Sequence, residues 1–256
     1  MNEVNPILEI KGLYKKYKRN GNFKQAVSDM NLFLMPGEIV GVIGESGSGK
    51  STLLRCVACL DKPSAGEIKL CGVDIFGKRP GEVCKSVQMV FQDAMGSFDP
   101  RMRVGTSLTE PLKRLVGLSG QDLLDRKDEL IHMVGLDPQL ADRYPSRLSG
   151  GQCQRFAIAR GLAGEPKILL CDEVTSALDV SAQAQIVDLL SNLRHELGLS
   201  ILFVSHDLAL ASGLCDRLIV MRDGKMVEEG PTELIIHQPK DSYTKLLLSS
   251  ALFFEN

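Results

Sequence analysis

The segment Gly44-Glu45-Ser46-Gly47-Ser48-Gly49-Lys50-Ser51 constrains the fold more than any other stretch of this 256-residue chain. It follows Ile39-Val40-Gly41-Val42-Ile43, a continuously apolar run of the kind that forms a buried parallel strand. After it, Ser51 to Leu60 reads as a helix. The glycines let the backbone curl until successive N–H groups face one point, and the helix that follows adds its positive N-terminal end. A strand, a glycine turn and a helix in that order need a sheet with helices packed against it. The octapeptide also matches G-x-x-x-x-G-K-[ST], a pattern in which the lysine reaches the β- and γ-phosphates of a nucleotide and the hydroxyl ligates Mg²⁺. Lys50 and Ser51 hold those two positions.

The rest of the chain repeats the alternation. Val87 to Phe91, Ile168 to Cys171 and Ile201 to Val204 are further apolar runs. Between the last two lies a helical pattern with Ile186, Leu190, Leu193 and Leu197 on one stripe, stopped by Gly198. Leu218 to Met221 and Met226-Val227 flank Arg222-Asp223-Gly224-Lys225, a hairpin with an Asp-Gly turn. The expectation is one α/β domain over 1–256 with a mainly parallel core sheet. Residues 7–38 hold short segments with polar turns and read as an antiparallel β flap. Residues 93–147, punctuated by Pro100, Pro111, Pro138 and Pro145, read as a helical insertion. With the glycine-led helix that follows, the helical region extends over 93–160, and 161–256 return to the sheet and C-terminal helices.

Composition narrows the possibilities by exclusion. A formal net charge of −2 argues against a surface built for nucleic-acid phosphates. No apolar run approaches the roughly 20 residues needed to cross a bilayer, and Met1 to Glu9 lack a signal-peptide pattern. The chain therefore reads as cytosolic, with any membrane role supplied through a partner. Seven cysteines, an odd number, read as reduced thiols. Cys56 and Cys59 form a C-x-x-C without a second Cys or His pair nearby. That pair reads as small buried residues on one helical face rather than a zinc or redox site.

Two further stretches carry chemistry. Asp172-Glu173 closes the run Ile168 to Cys171, where ligands bind in open α/β sheets. Alone, such a pair is commonly a solvated strand end. Beside a phosphate loop, Asp172 fits the Mg²⁺-holding role and Glu173 fits a base that orients or deprotonates the attacking water. In Leu148-Ser149-Gly150-Gly151-Gln152, Ser149 fits the cap of a helix over Gln152 to Leu162, whose first N–H groups the glycines expose. That makes a second anion-ready helix start in a chain with one phosphate loop.

With these residues together, the chain resembles the ABC ATPases, P-loop NTPases in which this second motif closes over the nucleotide of the opposite protomer. The resemblance implies binding of ATP and Mg²⁺ at Gly44, Glu45, Ser46, Gly47, Ser48, Gly49, Lys50, Ser51 and Thr52. It implies that Ser149, Gly150, Gly151 and Gln152 act on the neighbour's ATP. Gln92 is similar to the family's Q-loop glutamine, which joins Ser51 and Asp172 at the metal. Asp179, in Ser176-Ala177-Leu178-Asp179, is similar to the D-loop aspartate at the dimer seam. His206, a residue type that is more often structural when met alone, resembles the switch histidine at the γ-phosphate. Tyr17 resembles the aromatic residue that stacks on adenine.

Gln88 to Asp93, Asp99-Pro100-Arg101, Ala177 to Gln183 and Ser242-Tyr243-Thr244 resemble the peptide/nickel import branch. That branch implies a second ATPase subunit (a related paralogue or a second copy), two membrane permeases, an extracytoplasmic substrate-binding protein and a place on the cytoplasmic face of the membrane. It also implies that the segment Gln92 to Arg103, with Phe98 and Arg101, faces the permease. Val174 departs from the proline usual after the base, and no cysteine follows Cys215, so no iron–sulfur cluster is expected. An importer for another small solute is the neighbouring reading. A soluble ABC ATPase of DNA repair or translation would normally carry a second cassette, a coiled coil or zinc modules, and the sequence shows none.

Overall fold

The computed structural model describes residues 5–19, 21–77 and 80–252. In chain order, β1 (Leu8–Arg19) and β2 (Asn22–Leu34) pair antiparallel, then β3 (Ile39–Ile43) leads through the glycine loop into α1 (Lys50–Val57). β4 (Ala65–Leu70), the short β5 (Val73–Asp74), α2 (Pro80–Ser86) and β6 (Val87–Val90) follow. The helical region holds α3 (Val104–Pro111), extended by a π-helical turn over Leu112–Val116, then α4 (Gly120–Met133) and α5 (Gly150–Leu162). The chain returns through β7 (Ile168–Asp172), α6 (Val180–Leu197), β8 (Ser200–Ser205), α7 (Leu208–Leu214), β9 (Arg217–Arg222), β10 (Lys225–Pro231), α8 (Thr232–His237) and α9 (Ser242–Leu252).

Six strands form a sheet in the order β10-β9-β3-β8-β7-β6, parallel except for the β9–β10 hairpin. The Asp-Gly turn of that hairpin has both central residues at positive φ, Asp223 at 50° and Gly224 at 78°, the twist that suits right-handed strands. Side chains alternate between the sheet's two faces, and both faces are covered, which explains why the strand runs are apolar throughout. Val40, Val42, Leu170, Leu202 and Val204 pack with Leu8, Leu13, Met30, Leu53 and Leu54 beneath the antiparallel layer. Ile39, Ile43, Leu169, Ile201 and Phe203 face the opposite way, against Leu108, Phe156, Ile158, Ile186 and Leu190 of the helices. The glycine loop at the end of β3 is thereby held between two packed layers.

Several expectations shift in detail. The antiparallel layer is a four-stranded sheet in the order β2-β1-β4-β5, so residues 65–74 join the flap that the sequence confined to 7–38. The first helix stops at Val57 because Cys59 takes the left-handed conformation, φ 56°. Cys56 is buried on α1, but Cys59 lies beyond the helix and is half-buried, so the two do not share a helical face. Burial pushes each thiol up to about 11. On α6 the buried stripe is Ile186, Leu189, Leu190 and Leu193, while Leu197 is 47% exposed beside the Gly198 cap, φ 62°. Among the described residues no helix is long and apolar enough to cross a membrane.

Candidate active site

The loop between β3 and α1 takes its shape from contacts that leave no room for a side chain at two positions. Gly44 has φ 152°, and a Cβ there would lie 2.1 Å from the carbonyl oxygen of Met221 on β9. Gly49 has φ 106°, and a Cβ there would lie 2.3 Å from the carbonyl oxygen of Ala26 on β2. The loop is thus pressed between the core sheet and the antiparallel layer, in a backbone form that favours glycine. Gly224 N–H donates to the Ser48 carbonyl at 2.9 Å, tying the β9–β10 turn to the loop. Lys50 is folded back into it, its Nζ donating to the carbonyls of Gly44 at 2.7 Å and Glu45 at 2.9 Å. Burial of the ammonium lowers its pKa, against the opposing pull of Glu173 and Asp172.

Beside Lys50 stand the carboxylates at the end of β7. Ser51 Oγ donates to Asp172 Oδ1 at 2.8 Å. Glu173 Oε1 lies 3.8 Å from Lys50 Nζ, and its Oε2 lies 3.5 Å from His206 Nδ1 just beyond β8. Glu173 has φ 49°, a strained conformation for a residue with a Cβ. Its N–H donates to Val204 at 3.0 Å, and its carbonyl accepts from Ser176 Oγ at 2.9 Å. Those bonds over-determine the bend, which turns the carboxylate toward the lysine. Ser176 Oγ also accepts from Gln92 Nε2 at 3.2 Å, so Gln92 engages the turn after Glu173 rather than the Ser51–Asp172 pair. Val174 is buried and supplies packing.

One cleft of about 530 Å³ gathers the loop residues Ser46, Gly47, Gly49, Lys50, Ser51 and Thr52 with Gln92, Glu173 and Tyr17. Tyr17 is 36% exposed, and its hydroxyl donates to Asp61 Oδ2 at 2.8 Å. Lys15 Nζ sits 4.9 Å from its ring centroid. Lys24, Gln25, Ala26, Asp223 and Gly224 complete the rim; the sequence marks Asp223-Gly224 as a turn, and nothing in it marks Lys24, Gln25 or Ala26 as neighbours of the loop. Lys24, Gln25 and Ala26 belong to β2 and Asp223-Gly224 to the β9–β10 turn, and their place over the loop is a tertiary fact.

Ser149, Gly150, Gly151, Gln152 and Asp179 line a different cleft, of about 410 Å³, that shares no residue with the first. The start of α5 is a reciprocal cap. Ser149 Oγ accepts from Gln152 N–H at 3.2 Å, and Gln152 Oε1 accepts from Ser149 N–H at 3.0 Å. Asp179 caps α6 from one side, its Oδ1 accepting from Ala182 N–H at 2.9 Å.

The family model for ABC transporters matches residues 27–176. The chain belongs to the ABC transporter family. As a member it is an ATP-binding subunit whose ATPase activity is coupled to transport. This ABC ATPase is 46% identical to the oligopeptide transport ATP-binding protein OppF of Salmonella typhimurium over 88% of its own length and 69% of the relative's. It is 44% identical, with the same coverage, to OppF of Escherichia coli. Among solved structures, the ATP-binding cassette MJ0796, determined as a dimer in a post-hydrolysis state with ADP and Pi, superposes with a TM-score of 0.79 at 34% identity. That match covers 88% of this ABC ATPase and 98% of the other chain. Two more residues of this ABC ATPase bond to the site without any local sequence signal for it, Ser176 to Gln92 and the Glu173 carbonyl and Tyr243 to the Glu45 N–H. Both stand inside family-like motifs, Ser176-Ala177-Leu178-Asp179 and Ser242-Tyr243-Thr244.

Proposed function

We propose that this subunit hydrolyses ATP in a sandwich with a second ATPase subunit and energises import of peptides. The observation that carries the reading is the separation of the two clefts. The phosphate loop and Glu173 line one, while the capped start of α5 lines the other, apart from any phosphate loop among the described residues. A Cβ at Gly151 would meet only ordinary contact, 3.6 Å to Ala182, so packing among the described residues leaves room for a side chain there. A neighbour's phosphate lying close against the start of α5 would make use of the missing side chain. The dimeric state of the MJ0796 cassette supports the same arrangement.

In this reading the N–H groups from Gly44 to Ser51 and the ammonium of Lys50 hold the phosphates, with Glu45, Ser46, Gly47, Ser48, Gly49 and Thr52 shaping the cradle. Tyr17 offers a π-face to adenine. Ser51 Oγ and Asp172 Oδ1 are hard oxygen donors 2.8 Å apart, a set that suits Mg²⁺; Gln92, which bonds Ser176, would have to turn from it to join them. The ion, when bound, neutralises charge on the transferring phosphoryl group. Glu173 takes a proton from the attacking water, whose oxygen bonds to the γ-phosphorus as the bond to the leaving ADP oxygen breaks. His206, beside Glu173, orients that carboxylate and contacts the γ-phosphate. Ser149, Gly150, Gly151, Gln152 and Asp179 act on the neighbour's nucleotide.

Two membrane permeases and an extracytoplasmic substrate-binding protein complete the assembly, placing this subunit on the cytoplasmic face. The OppF relatives support peptide as the solute over a nickel chelate. The test is reconstitution with the permeases in liposomes, where ATPase activity should rise when peptide-loaded binding protein is added to the opposite side. Stimulation by another solute but not by peptide would remove the peptide assignment. A tagged subunit that carries no multispanning protein out of solubilised membranes would remove the assembly.

A further inference from the structure

We propose that Tyr243, on the C-terminal helix α9, is a positioning residue of the phosphate loop. Its hydroxyl fixes the Gly44–Glu45 peptide and thereby the resting place of Lys50.

Tyr243 is 4% exposed, and its hydroxyl accepts from the Glu45 N–H at 3.1 Å, across 198 positions of sequence. The carbonyl of the same peptide unit, that of Gly44, accepts from Lys50 Nζ at 2.7 Å. In a trans peptide the N–H and C=O point in opposite directions. This one plane is therefore held at both edges, by the lysine on one side and the tyrosine on the other. The hold falls where the loop can least define itself, because Gly44 at φ 152° has no side chain to limit its rotation.

The tyrosine is itself braced. Its N–H donates to Asp241 Oδ1 at 2.8 Å. The N–H groups of Lys240 and Asp241 donate to the Glu228 carboxylate of β10 at 2.8 and 3.1 Å. The Arg222 guanidinium stands 4.8 Å from the ring centroid, next in sequence to Met221, whose carbonyl presses on Gly44. Packing alone asks for a ring in this place and would accept phenylalanine. A hydroxyl aimed at a loop N–H asks for tyrosine, since its loss leaves a backbone donor without a partner.

The proposal rests on the nucleotide reading of the loop, and one control separates the two. Tyr243→Phe keeps the ring over Arg222 and removes one oxygen. Affinity for a fluorescent ATP analogue should weaken about 3- to 10-fold, the scale of one hydrogen bond. Hydrogen exchange at the Glu45 amide, followed by NMR, should speed up in the same variant. Melting without nucleotide should move by no more than about 2–4 °C. Wild-type affinity in Tyr243→Phe would overturn the proposal, as would a Glu45 amide unprotected in the wild-type protein. Should Tyr243→Phe lose the fold, that wild-type exchange rate still decides. Lys50→Ala binding the analogue as tightly as wild type would instead overturn the nucleotide reading.

Discussion

Glu173 illustrates how much a single residue owes to its backbone here. A φ of 49° is costly for glutamate, yet it is what points the carboxylate at Lys50 and His206 instead of continuing along β7. Glu173→Gln keeps the shape and removes the base. ATP binding should persist while turnover falls about 10²- to 10⁴-fold, and near wild-type steady-state ATPase would refute the role. Lys50→Ala should act earlier, on nucleotide binding itself, because the phosphates lose their main cation. Asp172 adds a pH dependence. Burial is the largest influence holding its carboxyl above the ordinary 3.8, and the Glu173 charge adds to it, while the Ser51 hydrogen bond and Lys50 pull the other way. The folded protein thus binds this proton more tightly than the unfolded chain. The cost to stability is absent below 3.8 and complete above the raised folded value. Asp172→Asn should therefore raise the nucleotide-free melting temperature at pH 7, a gain that fades toward pH 4, while Mg²⁺-dependent affinity drops. A lower melting point at pH 7 would show that the ionised carboxylate stabilises the fold.

At the scale of elements, α5 joins the start that lines the second cleft to the segment after Gln92. Near its far end, the Arg160 guanidinium donates to the Ser97 carbonyl and hydroxyl, each at 2.8 Å, and stacks 4.5 Å over the Phe98 ring. This corrects the expectation that Phe98 and Arg101 both present themselves to a permease. Phe98 is 4% exposed and belongs to the core, so Phe98→Ala should cost about 3–5 kcal/mol and lower ATPase and uptake together. Arg101 has a side chain 90% exposed, and Met95 and Met102 are exposed apolar residues of the same segment. Arg101→Ala should keep basal ATPase within about twofold while reducing uptake by the assembled transporter. Equal loss of both activities would make the segment a folding element. The sequence disclosed this segment's polarity and its proline but not which side of Phe98 faces inward. Burial there depends on Arg160, which is distant in the chain.

For the whole molecule, two clefts without a shared residue make a mixing experiment decisive. A Ser149→Arg protomer lacks only what it gives its partner, and a Lys50→Ala protomer lacks only what it holds itself. In a dimer of one of each, one of the two sites is intact, so mixing two inactive variants should restore part of the ATPase activity. No restoration in mixtures shown to exchange subunits would place α5 at work within its own chain. The sequence by itself determined the strand–loop–helix at Ile39 to Val57, the apolar runs of the core strands, the Ser149 cap and the Asp-Gly hairpin. Each of these is written in neighbouring residues through side-chain period, glycine placement or capping chemistry. Tertiary structure alone decided that β4 and β5 join the antiparallel layer, that Cys59 leaves its helix, that Phe98 is core, and that Ser176 and Tyr243 touch the catalytic apparatus. Most of these are properties of positions brought together by sheet orders, β2-β1-β4-β5 and β10-β9-β3-β8-β7-β6, that do not follow the order of the chain. A linear sequence displays what each residue is and what its near neighbours are. Whether a hydroxyl finds an N–H 198 residues away depends on the packing of every layer between them.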